Sequence, residues 1–154
     1  MFVVSLRKKE MQEYSEELLH DIVNGFIKRS LDKSLWTHQA HIITAIWHLK
    51  EYEPEDALCR LRSGIISYNL AVGGENTGQN GYHETITIFW WEVVKQFIEQ
   101  NGKISFKEAC DIFLNSPMAD KNFLFQFYTK EKLLSTFARA RFINPDLKEI
   151  NIEL

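Results

Sequence analysis

Apolar residues at Leu18, Leu19, Ile22, Val23, Phe26 and Ile27 recur at spacings of three and four, with charged side chains between them. That period predicts a helix over about Gln12 to Arg29. Glu13, Glu16 and Glu17 fall in its first turns and Lys28 and Arg29 in its last, the order the helix dipole favours. Gly25 weakens this helix by up to about 1 kcal/mol relative to alanine and marks a candidate close helix crossing. A polar link from Ser30 to Leu35 precedes a second helix, about Thr37 to Glu51, with Thr37 as its N-cap and an apolar face of Ile42, Ile43, Ala45, Ile46, Trp47 and Leu49. Pro54 suits the first turn of a third helix, which carries the stripe Leu58, Leu61, Ile65, Tyr68 and stops at Gly73-Gly74. The loop from Gly73 to Gly81 is too polar to pack. A fourth helix, about Tyr82 to Gln100, is apolar nearly all round (Ile86, Ile88, Phe89, Trp90, Trp91, Val93, Val94, Phe97, Ile98), as expected of a helix surrounded by others.

The rest reads as shorter pieces. Ser105 and Glu108 form a capping-box pattern at the start of a helix over Ile104 to Leu114. Asp120 to Tyr128 is ambiguous between helix and irregular packing, and Thr129 caps a short helix running to Arg139. The segment from Phe142 onward looks extended, and the alternation of Ile150-Asn151-Ile152 suits pairing with Phe2 to Leu6. The expected fold is all-α: a four-helix bundle core with additional short C-terminal helices, one domain over residues 1–154.

Composition narrows the function classes. At 154 residues the chain is long enough for one self-sufficient core. Its net charge of −3, from 18 basic and 21 acidic residues, offers no footprint for nucleic acid or an anionic membrane. No apolar run approaches the roughly 20 residues that span a bilayer, and the N-terminal apolar run is too short for a secretory signal. A cytoplasmic protein is the expectation. Cys59 and Cys110 stand in no metal or redox pattern and are expected to be buried reduced thiols.

The candidate chemistry lies at two helix starts. Four helices joined by short links alternate in direction, so the second and fourth run parallel and begin at the same end. His38 and His41, three residues apart, open the second; Tyr82, His83 and Glu84 open the fourth, behind the loop GGENTGQNG. Two imidazoles on one helix face plus a third from elsewhere is a donor set for zinc, iron or nickel. A metal site built from His38, His41 and His83 is therefore one expectation, with Glu84 as acid/base, while Tyr82 orients a substrate and Arg141 folds back to hold an anionic one. The alternatives stay open. The rings can cap and pack, or form a metal-free pocket for a small anion at the helix N-termini, and Glu84 can simply be a dipole-stabilising first-turn acid. His48 lies too far down its helix to join the site, and His20 has the context of a surface residue.

The strings THQAH, GYHETITIFW and the tail ARARFINPDL together resemble a family of small uncharacterised bacterial proteins with THxxH-type and YHET-type helix starts and a terminal PDL. The resemblance covers Trp36 to Leu147 and implies that the two junctions belong together, with His38, His41, Tyr82, His83, Glu84 and Thr85 as motif positions. It adds no reaction. Two functional readings follow: a metal-dependent enzyme acting on a small molecule, or a non-catalytic small-ligand-binding or protein-interaction module. An exposed stripe from Phe89 to Trp91 would favour a homodimer.

Overall fold

The computed structural model describes Met11 and residues 13–153. These are all-helical, with no strand: α1 (Glu16–Ile27), α2 (His38–Glu51), α3 (Pro54–Ala71), α4 (Glu84–Asn101), α5 (Phe106–Leu114), α6 (Lys130–Leu133) and α7 (Thr136–Ala140), with 3₁₀ turns at Lys33–Leu35, Pro117–Ala119 and Phe123–Gln126. The local signals act where expected. Thr37 accepts a hydrogen bond from the Ala40 amide to start α2, Pro54 occupies the first turn of α3, and Ser105 and Glu108 form a reciprocal capping box on α5. The helix expected over 129–139 is two helices, because Ser135 breaks it and caps α7 through the Ala138 amide.

The central element is α2, not α4. It packs against α1, α3, α4 and α5, and eight of its fourteen residues are buried, Thr44 and His48 among them. His48 sits inside because it satisfies itself locally, donating Nδ1–H to the Thr44 carbonyl one turn back (2.8 Å), whereas the buried Thr44 hydroxyl has no hydrogen-bond partner among the described residues. On α4, by contrast, Ile86, Ile88, Trp91 and Ile98 are only half-buried. Along the stripe from Phe89 to Trp91, Phe89 and Trp90 are buried, and the half-buried Trp91 donates its indole N–H to the Pro54 carbonyl at 2.8 Å. Cys110 is buried as expected, whereas Cys59 is exposed on the outer side of α3.

The close helix crossing is at Gly64, whereas Gly25 is approached by Leu31 of the following link, 3.0 Å from where a Cβ would stand. A Cβ at Gly64 would lie 2.5 Å from the Phe26 ring, so α1 and α3 meet where only hydrogen fits. Two contacts fix the relative direction of α2 and α4. His38 at the start of α2 lies edge-on to Trp90 in the upper half of α4, and Lys50 near the end of α2 donates to the Ile104 carbonyl just beyond α4. The two helices run parallel. The tail lies along α4, held by Gln96, which donates to the Ile150 carbonyl (2.9 Å) and accepts from the Ile152 amide (2.8 Å), and by Gln100, which donates to the Ile152 carbonyl. The expected partner of that tail, Phe2 to Leu6, lies outside the described residues. No helix among the described residues is long and apolar enough to cross a membrane.

Candidate functional site

At the start of α4, His83 is not the helical residue the sequence suggested but the N-cap, in extended conformation (φ −133°, ψ 109°). Its Nδ1 accepts the Ile86 amide at 3.2 Å, which leaves the proton on Nε2, and Nε2–H donates to the Leu133 carbonyl of α6 at 3.0 Å. Both ring nitrogens are used and the ring is buried. Burial lowers its pKa, aided by nearby Arg139 and opposed by the Leu133 bond. The imidazole is therefore a neutral connector between two helices.

Glu84 opens α4 proper, where its charge suits the helix dipole. Arg62 of α3 grips it as a fork: Nη2 to Oε1 at 2.6 Å, and Nε at 3.1 Å from both oxygens. The Tyr82 hydroxyl donates to Oε2. Burial pushes the Glu84 pKa up, but Arg62 and Tyr82 together outweigh it and hold the carboxyl below its ordinary value. The Tyr82 phenol is raised by burial and by the carboxylate it serves. Thr85, fully buried, donates Oγ1–H to the Ala138 carbonyl (2.7 Å), with the Arg141 carbonyl 2.9 Å away, and accepts from the Ile143 amide (3.2 Å). The arginine that folds over this junction is Arg139, which donates to the carbonyls of Gly81 (2.9 Å) and Tyr82 (3.3 Å). Arg141 leaves α7 in extended conformation, and its guanidinium lies 6.0 Å from the Phe137 ring on an exposed residue.

The glycine-rich loop is closed on itself. Asn76 donates to the Ile66 carbonyl and accepts from both the Tyr82 amide and the Asn69 side chain, each at 3.0 Å. Thr77 Oγ1 accepts from the Gln79 and Asn80 amides. Gly81 turns the chain into the junction at φ +81°, where a Cβ would stand 2.0 Å from the Glu75 carbonyl oxygen. The Thr77, Gln79, Asn80 and Tyr82 amides are thus bonded within the loop and its exit.

At the start of α2 the two histidines turn to different neighbours. His38 Nε2–H donates to the Ala119 carbonyl at 3.1 Å, and its ring lies edge-on to Trp90 at 4.9 Å. His41 Nδ1–H donates to the Thr37 carbonyl at 2.7 Å, and its ring lies 3.8 Å from the Trp36 indole, which itself stacks on Phe26. Burial lowers both pKa values, that of His41 to about 4, against the opposing pull of the carbonyl bonds.

His38, His41 and His83 are thus not gathered into a ligand set, and no group of three or more metal-ligating side chains occurs among the described residues. The reason is an offset between the parallel helices. His38 meets α4 at Trp90, seven positions beyond His83, or roughly 10 Å at 1.5 Å per residue. His83 points instead toward α6. What the sequence did not indicate is an open groove of about 1260 Å³ beside His38, lined among others by Gln39, Leu114, Ser116, Asp120 and Phe123. Its only sequence signal is Pro117, which ends α5 and starts the turn that carries Ala119 back to His38.

Comparison with protein-family models, curated proteins and solved structures found no match.

Proposed function

We propose that this protein is a non-catalytic binding module that takes an extended ligand, such as a peptide segment, in the groove beside His38. The observation that carries the reading is the internal saturation of the α4 junction. A general base needs a pKa near the working pH and a free lone pair aimed at substrate. Glu84 is held ionised by Arg62 and Tyr82, and His83 has no free nitrogen. A metal-dependent reaction would require His83 to give up one of its two ring bonds, and His38 and His41, which each keep one ring nitrogen outside their carbonyl bond, to be brought together with it. The resemblance to the THxxH and YHET family fits this reading, since His83, Glu84 and Thr85 each hold a distant part of the chain and Tyr82 supports Glu84.

The groove suits an extended ligand better than a compact one. Its volume exceeds the roughly 300–1,000 Å³ of small-molecule pockets, and His38 contributes an acceptor, Nδ1, while its Nε2–H is engaged. In the same proposal α1 to α4 act as a four-helix core, and the setting is cytoplasmic without nucleic acid. The test is a displayed peptide library selected against the immobilised protein, with binders mapped by amide chemical shifts. Selected peptides are expected to perturb residues 38–39 and 114–123 and to lose about tenfold or more in affinity against Gln39→Trp, which fills the groove. Binders that map elsewhere, or that ignore Gln39→Trp, contradict the reading.

A further inference from the structure

The charge of the chain is unevenly placed. Between residues 129 and 148 stand five basic side chains (Lys130, Lys132, Arg139, Arg141, Lys148) and two acidic ones (Glu131, Asp146), a local +3 in a chain of net −3 that leaves −6 elsewhere. The same stretch exposes large apolar side chains: Leu134 at 63%, Phe137 at 61% and Phe142 at 40%. This segment is not loose. His83 holds the Leu133 carbonyl, Thr85 the Ala138 carbonyl, and Arg139 the Gly81 and Tyr82 carbonyls. Leu133 and Ala138 face inward and are buried, so Leu134 and Phe137 stand outside on a fixed backbone. Neither can retreat without breaking those bonds.

Arg139 is spent on backbone carbonyls and Lys148 lies over the Phe127 ring, but the remaining three cations are outside any ion pair among the described residues. Asp146 is taken up by the Thr129 amide and hydroxyl at 2.9 and 2.7 Å. No acidic side chain pairs with Lys130, Lys132 or Arg141 among the described residues, and Arg141 lies over the Phe137 ring. Exposed aromatics beside arginine are the residue types that anchor protein interfaces, and unpaired rim cations steer and select acidic partners.

We propose that the outer face of α6 and α7, formed by Leu134, Phe137, Arg141 and Phe142 with Lys130 and Lys132 at its rim, docks an acidic protein segment bearing an aliphatic or aromatic anchor. A lipid surface is the poorer fit, because helices of four and five residues lack the long continuous apolar face of an interfacial helix. Nucleic acid is the poorer fit because Glu131 interrupts the basic rim and the centre is apolar. This surface is separate from the groove beside His38 and does not depend on it.

The experiment uses the full chain and a fluorescent peptide of alternating Glu, Asp, Leu and Phe, with a Lys-for-acid version as control. Phe137→Ala and Arg141→Glu are each expected to weaken binding of the acidic peptide about tenfold without changing the melting temperature, because both side chains are exposed. Gln39→Trp is expected to leave it unchanged, and rising salt to weaken it. Failure of the acidic peptide to bind, equal binding of the two peptides, or binding unaffected by Arg141→Glu overturns the proposal. So does loss on Gln39→Trp alone, which would assign the peptide to the groove. Tighter binding of phosphatidylserine vesicles or of single-stranded RNA, or self-association of the chain abolished by Arg141→Glu, also overturns it by naming a different occupant.

Discussion

Replacing His83 by alanine separates a structural junction from a reactive one. The substitution removes the acceptor of the Ile86 amide, an N-cap loss of about 1 kcal/mol. It also strips the donor from the Leu133 carbonyl, which costs about 1–3 kcal/mol if that oxygen stays buried and unpaired. His83 is only 7% exposed, so water cannot readily take over either role. Together the loss is about 2–4 kcal/mol, or a fall of about 6–12 °C in melting temperature at the middle of that range for a chain of this size. Urea unfolding monitored by tryptophan fluorescence measures the energy. Hydrogen exchange locates it, with amides across residues 133–143 expected to exchange faster than those of α2. His83→Asn should recover about 1 kcal/mol, since asparagine caps well but cannot reach Leu133 in the same way. A stability change below about 0.5 kcal/mol for the alanine variant, the level of an ordinary surface substitution, would refute the reasoning.

Other outcomes follow from the same geometry. Gly81→Ala forces a Cβ against the Glu75 carbonyl at positive φ and should cost more than about 1 kcal/mol, read by thermal unfolding. Glu84→Gln removes the charge that Arg62 grips. Because Arg62 is 35% and Glu84 16% exposed, the loss should be about 1–2 kcal/mol, between the surface and buried cases, and it should shrink below the depressed carboxyl pKa, where wild-type Glu84 is itself protonated. Stability should fall as pH drops from about 6.5, the unfolded imidazole value, toward about 4, the folded value for His41, because the unfolded chain binds the proton first. His38, His48 and His83 have the same sign, so His41→Phe should reduce the slope of unfolding free energy against pH without abolishing it. Gln96→Ala with Gln100→Ala should free the tail from α4, seen as rapid exchange of the Ile152 amide with α4 itself still protected.

What was legible in the sequence was local. Thr37, Pro54, Ser105 with Glu108, and Gly73-Gly74 act on the backbone within five residues of themselves, and each marks its helix end correctly. Ser135 was the same kind of signal but lay inside a plausible periodic run. The alternation of helix direction was also legible, and the contacts of His38 with Trp90 and of Lys50 with Ile104 bear out the parallel course of α2 and α4. The sequence does not carry the axial offset between those helices, and that offset decides whether three histidines share an ion. Nor does it carry the partners of His83, Thr85 and Arg139, which lie fifty to fifty-eight residues away. Arg139 and Arg141 are indistinguishable by composition. Only the end of α7 turns one toward Gly81 and the other to solvent. The central role of α2 was masked by Thr44, whose hydroxyl is buried without a partner among the described residues, and by His48, which looks exposed until the Nδ1 bond to the preceding turn is seen.

The most direct test of the account is the state of the imidazole rings in solution, read by long-range proton–nitrogen correlation spectra with and without equimolar zinc. The expected result at neutral pH is that His83 carries its proton on Nε2, with Nδ1 accepting a hydrogen bond, and that zinc moves the ring nitrogens of His38, His41 and His83 not at all. A common metal-bound shift of those three rings at stoichiometric zinc would contradict the structural reading of the junction and restore the metal site in its place.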